Sequence, residues 1–340
     1  MKSFRQRMKK LIRFPHCYRV LFLLTFLLLS QLSYGQFRFN KRNRYHSIGL
    51  SLNAINYVGD VDPSRGFLSP ALRYTQPCLG IQYMYKWNPY LFFRASFSYG
   101  RIKGNDYVNA GYDIDDIYRK LRNVTFRNDL IELKADFIYD LVGNFLHYRK
   151  RPEYVPYVFA GIAYFHHNPQ GLSPSGRWVN LKPLSTEGEG LPGTGKKNYS
   201  LHQIAIPLGI GIRHRISRQL DFGFEIGWRF TFTDYLDDVS GNYVDRDMLR
   251  REKGNLAVTM ADRTQDAIDK DPRLKDFIIN RQGGFVNKNN QSINADNGYI
   301  YSYNIPGAQR GDGNKDWYVV TGFHLIYIIP PRVVCPKFRD

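Results

Sequence analysis

The sequence predicts an all-β fold: an eight-stranded antiparallel transmembrane β-barrel of the outer-membrane type, with long, partly helical loops. Three observations predict it. Eight segments alternate apolar residues with small or polar ones at a period of two, as strands do. Short and long connections alternate along the chain, like the turns and loops at the two rims of a membrane barrel. A basic and then apolar leader precedes the first strand. Composition agrees. Among 340 residues, 25 Tyr, 23 Phe and 4 Trp are too many for a disordered chain. The mean hydropathy is −0.43 and no apolar run reaches the roughly 18–20 residues of a helical span, which excludes a helical membrane protein. Three Cys exclude a disulfide scaffold.

Residues 1–35 read as a signal peptide. Seven bases and no acid stand in residues 1–19, ten residues from Val20 to Leu29 form the apolar stretch, and the small Ser33 and Gly35 place cleavage between Gly35 and Gln36. No Cys follows the apolar stretch, so a lipoprotein is not expected. Cleavage removes seven of the 48 basic residues and leaves a net charge of +11. Residues 36–45 are then a periplasmic segment, 46–330 the barrel including a long loop over 234–316, and 331–340 a periplasmic tail.

The strands are expected near 46–58, 78–87, 91–102, 128–141, 156–166, 200–215, 220–233 and 317–329. The seventh is the clearest: Leu220, Phe222, Phe224, Ile226, Trp228, Phe230 and Phe232 form one face, and Asp221, Gly223, Glu225, Gly227, Arg229 and Thr231 the other. A soluble barrel would turn its apolar face inward. Here the apolar faces carry aromatics near their ends, Tyr85 and Trp87, Trp228 and Phe230, Trp317 and Tyr327, like girdles at two membrane interfaces. The other face is small and charged and suits a narrow interior. Arg94, Glu132, Lys134, Asp136, Arg213, Asp221, Glu225 and Arg229 are therefore expected as a salt-bridged lumen network, because unpaired charges there would be costly. An open pore is not expected.

An even strand number puts both termini on the short-turn, periplasmic side. That rim gathers twelve bases against two acids, whereas loop 234–316 has fourteen acids against twelve bases. Arg149, Lys150, Arg151, Arg332 and Lys337, with Cys335, are the expected partner-docking residues; attraction to outer-membrane lipid headgroups is the blander alternative. Nucleic acid is not an expected partner. Cys78 and Cys335 stand at opposite rims, about 25 Å of apolar height apart. A disulfide needs Cα atoms about 4–7 Å apart, so these two should not pair. Cys335 is then left for an intermolecular bridge, or as an unreactive thiol.

No catalytic, metal or cofactor site is expected. Neither Gly-x-Ser-x-Gly nor His-Glu-x-x-His occurs, and the adjacent His166 and His167 point apart in a strand. His324 faces the lumen and reads as structural rather than as a base. Asp234, Asp237 and Asp238 have the chemistry of a calcium loop, but the preferred reading pairs them with Arg246, Arg250 and Arg251 at the start of an acidic loop. Gly193 to Lys197 has the composition of a phosphate loop without its spacing. Within loop 234–316, Asp271 and Pro272 start a helix to Asn280, with Leu274, Phe277 and Ile278 as its stripe, and a second helix covers 258–269.

Five segments resemble a known family: 56–60, 127–139, 156–162, 206–211 and, the longest, 227–241, Gly227 to Gly241. On them the chain resembles the PorG family, the outer-membrane barrel component of the type IX secretion system and its associated gliding machinery. The resemblance implies a non-catalytic role, anchoring a periplasmic ring of the lipoprotein PorK and the protein PorN to the outer membrane, with other secretion components nearby. It carries over no catalytic residue. The alternatives are a barrel enzyme or a small porin acting through the long surface loops.

Overall fold

The computed structural model describes residues 43–61, 72–112, 116–274 and 306–330. The cleavage pair Gly35 and Gln36, the tail residues Arg332, Cys335 and Lys337, and residues 275–280 of the expected helix lie outside the described residues.

The strands are β1 His46–Val58, β2 Gln76–Lys86, β3 Leu91–Asn105, β4 Thr125–Asp140, β5 Tyr154–His166, β6 Pro169–Leu172, β7 Trp178–Asn180, β8 His202–Arg215, β9 Leu220–Thr231 and β10 Trp317–Ile329. Every pairing is antiparallel. The wall runs β1-β2-β3-β4-β5-β8-β9-β10, and β10 pairs back onto β1 with His46 opposite Ile329 and Val58 opposite Trp317. Closure leaves no sheet edge, which is what a bilayer demands of a spanning sheet. The fold is an eight-stranded antiparallel barrel, and among the described residues no helix is long and apolar enough to cross a membrane.

The exterior is apolar. Leu50 and Ile162 are each 64% exposed, and Leu52, Leu133, Ile204 and Ile210 share that surface. In water this belt would be unfavourable over its whole extent; in hydrocarbon it costs nothing. Trp87, Tyr154 and Tyr327 are exposed towards the short-turn end, and Tyr99, Tyr164 and Phe232 towards the long-loop end. Trp228 departs from the expected girdle: it is only 8% exposed, set between Leu208 of β8 and Val319 of β10.

The interior has three layers where the sequence suggested one. At the short-turn end Tyr45, Met84, Phe92, Tyr157, Phe159 and Ile326 form an apolar layer. Charged residues fill the middle. At the long-loop end Ile55, Tyr57, Phe126, Phe165 and Tyr318 pack with Leu236 and Val239, which descend from the loop after β9. Two glycines make room for the first layer. A Cβ on Gly209 would run into the Phe159 ring, and one on Gly211 would stand 2.5 Å from the Tyr157 ring. Facing ring against glycine lets a narrow barrel hold aromatics.

Two further features lay outside the alternation signal. β3 and β4 run on to Asn105 opposite Thr125, beyond the expected ends, and the β6–β7 hairpin pairs with that extension. Short helices cover the same end: α1 Asp106–Asn109, α2 Ile117–Arg122, α3 Arg246–Lys253, α4 Asn255–Ala261 and α5 Thr264–Lys270. The helix expected over 258–269 is thus split at Asp262. Leu274, from the helix expected next, packs with Ile117, Leu121 and Ile268.

Candidate functional site

Three regions carry the chemistry: the charged middle of the lumen, the basic short-turn rim and the acidic mouth at the long-loop end.

In the lumen, strand alternation turns Arg94 and Asp136 inward, and register sets them directly opposite each other on β3 and β4. Arg94 Nε and Nη2 each donate to Asp136 at 2.8 Å, and Nη1 reaches Glu225 across the bore. Lys134 Nζ also lies 2.8 Å from Asp136. Arg229 Nε meets Glu132 Oε2 at 3.3 Å, and Arg213 Nη2 meets Asp140 Oδ2 at 2.5 Å. Tyr157 and Tyr318 donate to Glu225 and Glu132 at 2.7 and 2.6 Å. All eight residues named for this network face the lumen and are buried. The structure adds His324, whose Nε2 lies 3.7 Å from Glu225, and Arg151. A lumen cavity of about 30 Å³ remains, room for water but not for a channel.

The short-turn rim is divided. Arg149 and Lys150 are exposed, beside exposed Leu141, Phe145 and Leu146. Arg151 is not a rim residue, contrary to the sequence reading. Its side chain is buried, Nη2 donates to Asp221 Oδ1 at 2.6 Å, and Nη1 donates to the carbonyls of Tyr148 and Arg218 at 2.8 and 2.7 Å. The reason is geometric: the turn carries Arg151 across the barrel opening, where the Asp221 carboxylate and the turn carbonyls need a donor.

The acidic mouth is built by the segment after β9. Residues 233–241 dip into the barrel, so Asp234, Asp237 and Asp238 are buried. Asp237 Oδ2 accepts from the Tyr57 hydroxyl at 2.6 Å and Oδ1 from the Val239 amide at 2.9 Å. Asp316 Oδ1 lies 2.9 Å from the same hydroxyl, which has one proton to give. Burial, then the Asp237 charge, holds the Asp316 carboxyl well above the usual range. Asp238 accepts from Thr186 Oγ1 at 2.5 Å and Tyr199 at 2.6 Å, and burial raises it too. Burial pushes Asp234 up to about 7 and raises Asp60 and Asp237 as well.

The expected partners of this cluster are Arg246, Arg250 and Arg251, and for Arg250 the structure differs. Arg250 pairs with Asp247 one turn away on α3. The guanidinium groups at the mouth are Arg122 and Arg310. Arg122 holds Asp106 and the Asp60 carbonyl; Arg310 holds Glu187 and the Asp238 carbonyl. They escaped the sequence reading because they lie 112 and 76 residues from Asp234 along the chain, and only the folded mouth brings them to it. His167 is buried and bonded to Asn128 and Ser200, with burial lowering it to about 4. Lys196, from the phosphate-loop-like stretch, donates to the Asn242 carbonyl at 2.8 Å and faces Glu187.

Comparison with known proteins adds a family and a set of similar folds. A profile described as a domain of unknown function, DUF6089, matches residues 19–181 and 188–259. No curated protein matches the chain. Among solved structures, neisserial surface protein A is 9% identical with a TM-score of 0.34, over 83% of this chain and 96% of its own. The outer membrane protein OprG from Pseudomonas aeruginosa is 7% identical with a TM-score of 0.35, over 85% and 97%. A major outer membrane protein from Thermus thermophilus is 11% identical with a TM-score of 0.34, over 84% and 99%.

Proposed function

We propose a structural, non-catalytic role for this chain, which belongs to the DUF6089 family, a domain of unknown function: an outer-membrane barrel that anchors periplasmic machinery. The apolar exterior and closed sheet support the membrane location. The filled lumen argues against transport through the barrel. In this reading the short-turn rim and both termini face the periplasm. The observation that carries the role is the exposed pairing of Arg149 and Lys150 with Leu141, Phe145 and Leu146. Charge beside exposed apolar surface has the makings of an interface rim and core. The PorG resemblance supplies the partner: a ring of PorK and PorN within the type IX secretion machinery.

The test is a pulldown of the tagged protein from gently solubilised outer membranes, run with and without reductant. Ring proteins should co-purify, and reversing Arg149 and Lys150 to Glu should cut their recovery at least tenfold while the barrel still inserts. A reductant-sensitive band lost in Cys335→Ser would make the tail a covalent contact. A barrel that comes down alone, or association unchanged by the reversal, would overturn the docking assignment. Single-channel conductance in planar bilayers would instead support a small porin.

A further inference from the structure

We propose that the mouth of the barrel binds one calcium ion, held by Asp60, Asp234 and Asp312. These residues come from three segments far apart in the chain: the exit of β1, the exit of β9 and the approach to β10. One carboxylate oxygen from each lies within 4.8 Å of the other two. Ligands on opposite sides of calcium stand roughly 5 Å apart, so one ion reaches all three.

The independent observation is a pair of stranded oxygens. Asp60 and Asp234 are 8% and 2% exposed, yet Asp60 Oδ2 and Asp234 Oδ1 accept no hydrogen bond from the protein. Their second oxygens are engaged: Asp60 Oδ1 by the Asp312 amide at 2.9 Å, and Asp234 Oδ2 by Ser240 Oγ at 2.6 Å. Both carboxylates are therefore fixed, each with one oxygen left over. The Arg122 guanidinium does not answer them, because it donates to the Asp60 carbonyl and to Asp106. Buried carboxylate oxygens are normally paired or on a metal.

Gly311 packs closely against this point. A Cβ on Gly311 would stand 2.5 Å from Asp60 Oδ2 and 2.5 Å from the Ser240 carbonyl oxygen. That carbonyl brings a fourth, neutral oxygen close to the carboxylates. Asp312 is exposed and leaves an open side for entry and for water. Three carboxylates and a carbonyl, with no His or Cys, are hard ligands. Calcium accepts irregular oxygen cages, whereas magnesium demands near-ideal octahedral geometry. The ion would tie both ends of the loop after β9 to the end of β1, closing the mouth. The binding claim is independent of the ring-anchoring reading; only the expectation that this end meets external calcium rests on its orientation.

The experiment is calcium titration of the full chain in detergent by calorimetry, with magnesium in parallel. The wild type should bind about one calcium with a dissociation constant on the order of 10⁻⁴–10⁻³ M, as extracellular calcium modules do. Magnesium should bind at least tenfold more weakly. Asp234→Asn and Asp312→Asn should each weaken calcium at least tenfold, with the folded, heat-modifiable gel band retained. Asp312 is exposed, so its variant tests the site even if Asp234→Asn fails to fold. Calcium should also slow proteolysis of the long loops in the wild type and not in Asp312→Asn. No binding at calcium about tenfold above that range, binding unaffected by Asp312→Asn, or equal affinity for magnesium would each overturn the assignment.

Discussion

The middle of the lumen and the mouth both bury carboxylates, and they neutralise them differently. In the middle each acid has a cation: Arg94 for Asp136 and Glu225, Arg229 for Glu132, Arg213 for Asp140, Arg151 for Asp221. Every acid in the set has a guanidinium partner, and one oxygen, Asp140 Oδ1, accepts no hydrogen bond. At the mouth Asp60, Asp234, Asp237, Asp238 and Asp316 crowd together, and the two guanidinium groups there bond chiefly to Asp106, Glu187 and carbonyls. Hydroxyls and amides take the place of cations. A network with internal partners acts as a plug. One without them answers to its surroundings.

That contrast can be broken most forcefully in the middle. Arg94→Met removes the guanidinium shared by Asp136 and Glu225, leaving Lys134 on Asp136, and should cost about 3–5 kcal/mol, since the Glu225 charge loses its guanidinium partner. Denaturant unfolding in detergent reads this. Adding Glu225→Gln should return part of the loss, and no recovery would mean the pair is not coupled. At the mouth, Tyr57→Phe removes the one hydroxyl shared by Asp237 and Asp316 and should cost about 1–3 kcal/mol, the penalty for an unsatisfied buried acceptor. Hydrogen exchange should rise around residues 233–241 and leave the short-turn half unchanged. The smallest effect is on pH. Burial raises Asp234 to about 7, against about 4 in an opened loop. Between those values the closed mouth binds more protons than the open one, so its stability falls as pH rises from about 4 through about 7. Loop proteolysis without added metal should therefore be faster at about pH 8 than at about pH 5.5. An opposite trend would show that Asp234 is ionised and paired.

How much was legible in the residues depends on the range of the signal. Leu220 to Phe232 declared its strand, its two faces and the lumen position of Glu225 and Arg229 through alternation alone. The inward Phe92, Tyr157 and Phe159 were not picked out, because their strands are apolar on both faces there and alternation is silent. Arg151 looked like a rim base because a turn sequence does not say which way its side chain crosses the opening. The β6–β7 hairpin is only four and three residues per strand, too short for periodicity to register.

By itself, the sequence determined the barrel class, the number of wall strands and which charged strand residues face in, because side chains alternate within a single strand whatever lies beside it. Tertiary structure alone decided which charges meet. Arg94 and Glu225 are separated by 131 residues, and Asp60 and Asp312 by 252. Such pairs depend on strand register around the closed wall and on how the loop after β9 folds back into its mouth. Both are set by the whole chain at once, so no local pattern encodes them.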